Sequence, residues 1–233
     1  MDTHAFSVMH QSEGSWWYRG RVSAIKSALA RSHIAQVNDV LDFGAGYGGM
    51  REELSKIGTR VYAFEPDSEA RKAATGRGYA QVFGTEGEAL ARTYDLIGLF
   101  DVVEHIEDDR EFLLRLKSAL DEYGYLAITV PAYQFLWSSH DVANMHFRRY
   151  TRASICKLLK ECGFTVEYAS YWNTVLFPLA LTARVLGFSG ESSFGLPRAI
   201  DAIFYACVVV ESWLMRFVRL PFGVSIVVIA RKK

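Results

Sequence analysis

Residues 40–49 read VLDFGAGYGG, an apolar run that ends in an acid and an aromatic residue and passes into a string of glycines. Glycine lets the backbone adopt positive φ, and it lets a ligand approach without a Cβ in the way. The apolar run has the length and composition of a buried strand. The stretch therefore predicts a strand that enters a glycine turn and then the N-terminus of a helix, with Asp42 two residues before the first glycine.

Two further apolar runs also end in acidic residues. Residues 61–64, VYAF, run into Glu65, seventeen positions after Gly48, and residues 96–100, LIGLF, run into Asp101. In a parallel sheet the carboxyl ends of the strands meet at one edge, where open α/β sheets bind ligands. A carboxylate at the tip of the second strand is placed to accept hydrogen bonds from ribose hydroxyls.

These segments resemble class I S-adenosylmethionine (SAM)-dependent methyltransferases of the broad type 11/12 kind. The matching pieces are residues 42–48, Glu65-Pro66-Asp67 and residues 100–106, together with WWYRGR at 16–21. The resemblance covers about residues 15–170. It is specific for fold and cofactor and poor for substrate, because function depends on the site rather than on the fold.

The glycine string alone leaves other interpretations open. Gly44-x-Gly46-x-x-Gly49 also fits the dinucleotide fingerprint, in which a turn and a helix N-terminus hold a pyrophosphate. The string also fits a plain strand–turn–helix. Asp42 favours SAM, because a carboxylate repels a pyrophosphate but suits a ligand with ammonium and sulfonium charges.

Composition narrows the class of protein. The chain has 233 residues, of which half are hydrophobic, and a formal net charge of zero, which argues against nucleic acid as the main partner. Three scattered cysteines are too few for a disulfide framework or a zinc site. No secretory signal is visible, so we expect a reducing, cytoplasmic setting.

The most apolar stretches, residues 202–210 and 174–183, are too short to cross a bilayer. Packing on the sheet or on a neighbouring subunit of a homodimer explains them most simply. Docking on lipid or binding of an apolar substrate stays open.

The alternation of apolar runs and helical segments predicts an α/β fold with a mostly parallel sheet. The resemblance implies a Rossmann-like sheet of seven strands with helices on both faces, the seventh strand antiparallel beside the fifth. We expect four segments: an N-terminal helical and aromatic lid (1–36), a SAM-binding core (37–172), a helical cap between strands six and seven (173–222) and the final strand (223–233).

The apolar runs and the segments between them also predict where each element lies. Strands are expected at 39–43, 60–64, 80–83, 96–100, 125–130, 165–170 and 225–230. Helices are expected at 19–32, 48–57, 68–75, 109–120, 152–162, 174–186 and 199–218. Residues 122–124 are expected to form a turn, Gly163 to end a helix, and the glycine- and serine-rich residues 187–197 to form a mobile loop.

The residues expected to bind SAM lie at the strand ends and on the first helix. Arg21 is our choice for the SAM carboxylate, although it can equally be a solvated helix residue; Trp17 and Tyr18 either shield the sulfonium or belong to the core. The resemblance places Phe100, Asp101 and Val102 at the methionine part and methyl group. The remaining members of the set are Asp42, Gly44, Ala45, Gly46 and Gly48 at the turn, and Glu65, Pro66 and Asp67 at the ribose.

The acceptor side is expected in residues 131–150, PAYQFLWSSHDVANMHFRRY, which follow strand five. His146 is the leading general base and His140 the second, since neutral imidazole takes a proton near pH 7. Arg149 and Tyr150 either bind the acceptor or merely orient the next helix. His105 is treated as substrate-proximal or structural.

No metal is expected, because the acidic residues after strand four are explained by the dipole of the next helix. The sequence thus indicates a SAM-dependent methyltransferase that acts on an oxygen or nitrogen of a small-molecule, sugar-linked or lipid-linked acceptor and releases S-adenosylhomocysteine. A C-methyltransferase, an NAD-dependent oxidoreductase and a non-catalytic SAM-binding partner are the alternatives.

Overall fold

The structure is a computed structural model that describes residues 14–186 and 196–233. Residues 1–13 of the expected lid and most of the expected mobile loop lie outside the described residues. The strands are β1 (Val37–Phe43), β2 (Gly58–Phe64), β3 (Val82–Phe83), β4 (Tyr94–Phe100), β5 (Leu120–Pro131), β6 (Phe164–Trp172) and β7 (Ser225–Lys232).

The α-helices alternate with these strands along the chain. They are α1 (Trp16–Arg31), α2 (Arg51–Leu54), α3 (Ser68–Thr75), α4 (Glu86–Ala89), α5 (Asp109–Ser118), α6 (Ser139–Ala143), α7 (Arg152–Glu161), α8 (Phe177–Val185) and α9 (Arg198–Leu214). Short 3-10 helices span Val103–His105 and Gln134–Leu136.

The sheet has seven strands in the order β3-β2-β1-β4-β5-β7-β6. β7 pairs antiparallel with both β5 and β6, and the remaining pairs are parallel. The predicted fold class is therefore confirmed, including the antiparallel seventh strand beside the fifth.

Both faces of the sheet are buried, as the continuous apolar runs predict. Side chains alternate along each strand. Thus Leu41 of β1 belongs to the same buried cluster as Phe112 of α5 on one face, and Val40 belongs to the same buried cluster as Ile25 of α1 on the other. Helices cover both faces of the core and leave the carboxyl edge of the parallel strands for the site.

Two local predictions are wrong. The helix expected at 48–57 is reduced to α2, because Gly48 takes φ +81° and cannot belong to a right-handed helix. The turn expected at residues 122–124 lies instead inside β5, where a register shift between Tyr94 and Leu96 absorbs the extra residues. Other boundaries agree to within a few residues, and Gly163 has φ +79° just after the C-cap of α7.

The two helices between β6 and β7 take different positions. Phe177 of α8 packs edge-on against Tyr133, which follows β5, with ring centroids 5.8 Å apart. α9 packs on α1 rather than on the sheet: Gly20 lies so close to Val208 that a Cβ there would come within 2.7 Å of its Cγ1. α8 therefore stands beside the segment predicted to meet the acceptor.

Large apolar side chains on the outer face of α9 are exposed, among them Ile203, Val210 and Trp213. Among the described residues, no helix combines the length and the apolar character needed to cross a membrane.

Candidate active site

The glycine turn is tied to the tip of β2 by backbone hydrogen bonds. Gly44, Gly46 and Gly48 have φ of +75°, +55° and +81°. The N–H groups of Gly44 and Ala45 both donate to the carbonyl of Phe64, at 2.9 and 3.0 Å. Positive φ at three alternate positions is what the glycine spacing predicted, because L side chains are strained there.

Glu65 fixes the turn from the neighbouring strand. Its Oε2 accepts a hydrogen bond from the N–H of Gly46 at 2.7 Å, and its Oε1 accepts one from the N–H of Asp67 at 2.9 Å. Burial raises the pKa of the Glu65 carboxyl, and these two hydrogen bonds act against that rise. Each carboxylate oxygen keeps a second lone pair, so the group can still accept hydrogen bonds from a ligand.

Gly44→Ala is expected to lower the free energy of unfolding by about 1–3 kcal/mol. An alanine would keep the unfavourable φ of +75°, and its Cβ would lie 2.8 Å from Cγ2 of Val102. Chemical denaturation of both proteins measures the difference. Gly87→Ala is the matched control, because a Cβ there meets nothing within 4 Å. Equal stability of Gly44→Ala and the wild type would contradict the strained turn.

Asp42, at the end of β1, is buried below the turn. The hydroxyl of Tyr79 donates to its Oδ2 at 2.6 Å. Burial raises the pKa of Asp42 to about 6, although the hydrogen bond from Tyr79 and the charge of Arg21 both act against it. Near neutral pH the group is therefore a buried carboxylate that a cationic ligand would stabilise.

Asp42→Asn is expected to change how stability depends on pH. In the unfolded chain an aspartate titrates near about 3.9, so the folded state binds the proton more tightly, and the contribution of Asp42 to stability falls as pH rises from about 4 to 6. Asparagine does not titrate. The free energy of unfolding of the variant, relative to that of the wild type, should therefore rise by about 2 kcal/mol across that range. Urea denaturation of the ligand-free proteins at pH 4 and 7 measures the gain, and a pH-independent difference would contradict it.

Arg21 of α1 faces this carboxylate cluster. Its Nη1 lies 2.7 Å from Oδ2 of Asp101, which has φ +59° at the end of β4. The rings of Trp17 and Tyr18 lie about the guanidinium, at 5.0 and 4.9 Å from its Cζ to their centroids. Burial would lower the pKa of Arg21, but the charge of Asp101 raises it overall. The structure thus brings Arg21, Trp17 and Tyr18 to the predicted edge of the sheet.

The other residues predicted to bind SAM surround the same edge. Asp67 is the N-cap of α3, and its Oδ1 accepts from the N–H groups of Glu69 and Ala70. Pro66 is exposed, Phe100 is buried, and Val102 packs against Gly44. The side chain of Asp67 therefore caps α3, while its backbone N–H binds Glu65.

A cavity of about 990 Å³ lies next to these residues, and Tyr18 is among the side chains that line it. It runs between α1, α9 and the end of the glycine turn at Gly48 and Gly49. Asp42, Glu65 and Asp101 do not line it. The three carboxylates and the cavity are thus neighbours rather than parts of one pocket.

On the acceptor side, Asp141 of α6 is the hub of a buried network. Its Oδ1 lies 2.9 Å from Nδ1 of His146 and 2.7 Å from Nε of Arg149, and its Oδ2 accepts from Nη2 of Arg149 at 2.9 Å and from the N–H of Ser138 at 2.8 Å. Burial opposes ionisation, but the bonds from His146 and Arg149 hold the pKa of Asp141 well below its usual range. Asp141 therefore orients the imidazole of His146.

The three predicted histidines come together here. The ring centroid of His146 lies 4.6 Å from that of His105 and 6.5 Å from that of His140. Burial lowers the pKa of His105 to about 4, helped by the nearby charge of His146, and burial also lowers the pKa of His140. His105 is consequently a neutral imidazole at physiological pH.

Arg149 and Tyr150 are already engaged within the protein. Arg149 binds Asp141, and the hydroxyl of Tyr150 donates to Oδ2 of Asp109 at 2.7 Å. Burial raises the pKa of Tyr150. Thr151 follows as the N-cap of α7, so both residues do orient the next segment. Contact of either with an acceptor stays a prediction.

Three residues of the site were not among the site residues predicted from the sequence: Asp141, Tyr79 and Glu104. Glu104 is fully buried, and neither of its carboxylate oxygens has a hydrogen-bond partner among the described residues. Burial and the charge of Asp101 raise the pKa of Glu104. The dipeptide Glu104-His105 was visible in the sequence, but its meeting with His146 was not; nothing in the sequence marks Tyr79.

Comparison with known proteins gives the family. A family model described as a methyltransferase domain matches residues 17–169. A probable SAM-dependent methyltransferase of Mycolicibacterium smegmatis is 26% identical over 163 residues, which cover 67% of this chain and 62% of that protein. The mitochondrial ubiquinone biosynthesis O-methyltransferase of Schizosaccharomyces pombe is 29% identical over 101 residues, or 39% of this chain and 36% of that protein. The matched parts thus span less than two thirds of these relatives.

The fold has close structural counterparts. The N-methyltransferase NodS of Bradyrhizobium japonicum, solved with S-adenosyl-L-homocysteine, superposes with a TM-score of 0.60 at 13% identity, covering 95% of this chain and 90% of that one. With the glycine turn, the acidic strand ends and the matched family model, these comparisons place the chain in the methyltransferase domain family of class I SAM-dependent methyltransferases.

Proposed function

We propose that this protein transfers a methyl group from SAM to an oxygen or nitrogen atom of a small-molecule, sugar-linked or lipid-linked acceptor and releases S-adenosylhomocysteine. The observation that carries the proposal is the set of carboxylates around the glycine turn. Glu65 is bonded to the N–H of Gly46, Asp42 lies buried beneath the turn, and Asp101 faces Arg21. Such a site suits a cationic nucleoside and repels a diphosphate.

The residues present fit SAM, which when bound supplies a methyl group already activated on a sulfonium. Glu65 retains acceptor capacity for the ribose hydroxyls. Asp42 offers a buried negative charge for the ammonium of the amino-acid end. Nε of Arg21 is buried without a hydrogen-bond partner among the described residues, so the guanidinium has a donor left for the carboxylate.

On the acceptor side, His146 takes the proton. Asp141 binds its Nδ1, so the other ring nitrogen, Nε2, is left for the acceptor, as in other general-base sites in which a carboxylate orients an imidazole. His140 and His105 complete the wall around it. α8, whose Phe177 packs against Tyr133, acts as the cap that keeps water from this side.

An acceptor with apolar bulk is favoured by the aromatic cluster around Tyr133, in the segment predicted to meet the acceptor. Tyr133 stacks on Tyr171 and on Phe135 with ring centroids 5.1 and 4.9 Å apart, and Phe177 of α8 packs against both Tyr133 and Phe135. One similar protein is an O-methyltransferase of ubiquinone biosynthesis and one structural counterpart is an N-methyltransferase, which supports oxygen or nitrogen as the target. Methylation of carbon is the alternative reaction at the same site.

The setting of the enzyme belongs to the same proposal. Cys156, Cys162 and Cys207 are free, which suits a reducing, cytoplasmic compartment. The exposed apolar face of α9 suits a homodimer or a peripheral contact with lipid.

Two measurements test the proposal. Calorimetric titration with SAM and, separately, with NAD should give binding with SAM alone. Incubation of the protein with methyl-labelled SAM and a metabolite extract, followed by mass spectrometry, should give labelled product and S-adenosylhomocysteine. Binding of NAD in place of SAM would indicate an oxidoreductase, and SAM binding without any labelled product would indicate a non-catalytic partner.

A further inference from the structure

Two segments that are distant in sequence bring three metal-binding side chains together. Glu104 and His105 belong to the 3-10 helix after β4, and His146 follows α6. One ligand atom from each, a carboxylate oxygen and two ring nitrogens, lie within 4.8 Å of one another. Metal–ligand bonds of about 2.0–2.2 Å place donors of one shell up to roughly 4 Å apart, so small side-chain rotations bring these donors into range.

Glu104 is the member that the methyl-transfer chemistry does not explain. The residue is 0% exposed, and neither of its carboxylate oxygens has a hydrogen-bond partner among the described residues. A buried carboxyl group without a partner is costly, and buried charges in proteins are normally paired or coordinate a metal. One carboxylate oxygen of Glu104 lies within 4.8 Å of a ring nitrogen of each histidine, so a cation held by the three side chains would give this carboxyl group a partner.

Both histidines are held as metal-binding histidines usually are. Nδ1 of His146 lies 2.9 Å from Oδ1 of Asp141, whose oxygens are fixed in turn by Arg149 and Ser138. The ring of His105 is hydrogen-bonded to the backbone of Asn144. In each case one ring nitrogen is bound to an orienting group, and the other is left for a ligand.

We propose that Glu104, His105 and His146 bind a divalent transition-metal ion, of which Zn²⁺ is the representative. Two imidazoles and one carboxylate favour zinc and its first-row neighbours over Mg²⁺ and Ca²⁺, which prefer sites made of oxygen ligands. Three protein ligands leave a position open, as in catalytic rather than structural zinc sites.

A metal ion at this site is contrary to the expectation from the sequence that no metal is bound. The sequence places Glu104 and His105 beside acidic residues that a helix dipole explains, and it gives no sign that His146 folds back onto them. Such an ion would also change the proton transfer: Nε2 of His146 would be a ligand, and an acceptor hydroxyl bound to the ion would have a lowered pKa and would release its proton to water instead of to the imidazole.

The test uses the full chain without a histidine tag, stripped with a chelator and then dialysed free of it. Titration with Co²⁺, followed by visible absorption, and calorimetric titration with Zn²⁺ should each give one ion per chain. Glu104→Gln, His105→Asn and His146→Asn should each weaken binding at least about 100-fold. His140→Asn is the matched control and should change the affinity less than about threefold, because its ring lies beyond the cluster.

Titration of the same stripped proteins with SAM separates this inference from the proposed function. SAM binding to the variants shows that they are folded, so a loss of Co²⁺ and Zn²⁺ binding in them supports the site. A wild type that binds SAM but neither ion overturns the metal site and leaves methyl transfer standing. A wild type that binds the ions but not SAM supports the metal site and overturns the proposed methyl transfer. If all three variants still bind the ions with wild-type affinity, the metal site is overturned.

Discussion

His146→Ala is expected to slow turnover at least about 100-fold while leaving the affinity for SAM unchanged. His146 lies at the end of a buried chain of contacts in which Asp141 holds its Nδ1 at 2.9 Å and Arg149 holds Asp141. Such a chain fixes the imidazole at one orientation, which a proton acceptor requires. The carboxylates proposed to bind SAM lie at the ends of β1, β2 and β4 rather than in the segment that carries His146, so their geometry should survive the change.

The measurement is single-turnover methyl transfer at saturating SAM, together with calorimetric SAM affinity for each variant. His140→Ala is the matched control, because its ring centroid lies 6.5 Å from that of His146 and no contact with Asp141 orients it. We expect the rate of methyl transfer to fall much less in the control than in His146→Ala. Normal turnover in His146→Ala would remove this residue from the mechanism.

The same assay distinguishes a base from a metal ligand. If the imidazole itself takes the proton, a chelator leaves the wild-type rate unchanged. If His146 acts through a bound ion, chelation of the wild type reproduces the loss seen in His146→Ala, and added Zn²⁺ restores the rate in the wild type alone.

Most of the fold follows from local sequence because its strands are continuous apolar runs with clear ends. The glycines at 44, 46 and 48 mark the turn, since only they adopt its positive φ without strain. Two predictions of single elements were wrong. α2 is shorter than the apolar pattern suggests, and β5 includes residues 121–124 through a register shift that depends on its partner strand. Pairing across a sheet is a tertiary effect that a single segment does not encode.

The site also contains residues that could be predicted from the sequence and residues that could not. Glu65 and Asp42 are foreseeable because each directly follows or ends a strand of a known type of sheet. The contacts of Asp141 and Glu104 are not, because they depend on how residues 131–150 fold. Asp141 meets His146 and Arg149 within that segment, and Glu104 approaches His146 only because the segment returns to the 3-10 helix after β4. A polar residue in such a loop can be named from sequence, but its partner can only be found in three dimensions.

Glu65→Ala is expected to weaken SAM binding by roughly 1–3 kcal/mol, or about 5- to 150-fold in the dissociation constant. Two effects contribute. The variant loses the acceptors for the ribose hydroxyls, and it also leaves the N–H groups of Gly46 and Asp67 without the carboxylate that now accepts them at 2.7 and 2.9 Å. Calorimetric titration of SAM gives the total loss.

Glu65→Gln separates the two effects. An amide keeps one oxygen that can satisfy a backbone N–H of the turn, but it loses the charge and one acceptor that favour the paired ribose hydroxyls. Thermal unfolding of the ligand-free variants reports the turn, and the unfolding temperature of the glutamine variant should be closer to that of the wild type than that of the alanine variant.

The affinities for adenosine and 2′,3′-dideoxyadenosine report the ribose contact. The wild type should bind adenosine more tightly, and both variants should lose most of that preference. A preference that persists in Glu65→Ala would place the ribose away from this carboxylate, because an alanine at the end of β2 has no side-chain acceptor with which to discriminate the two nucleosides.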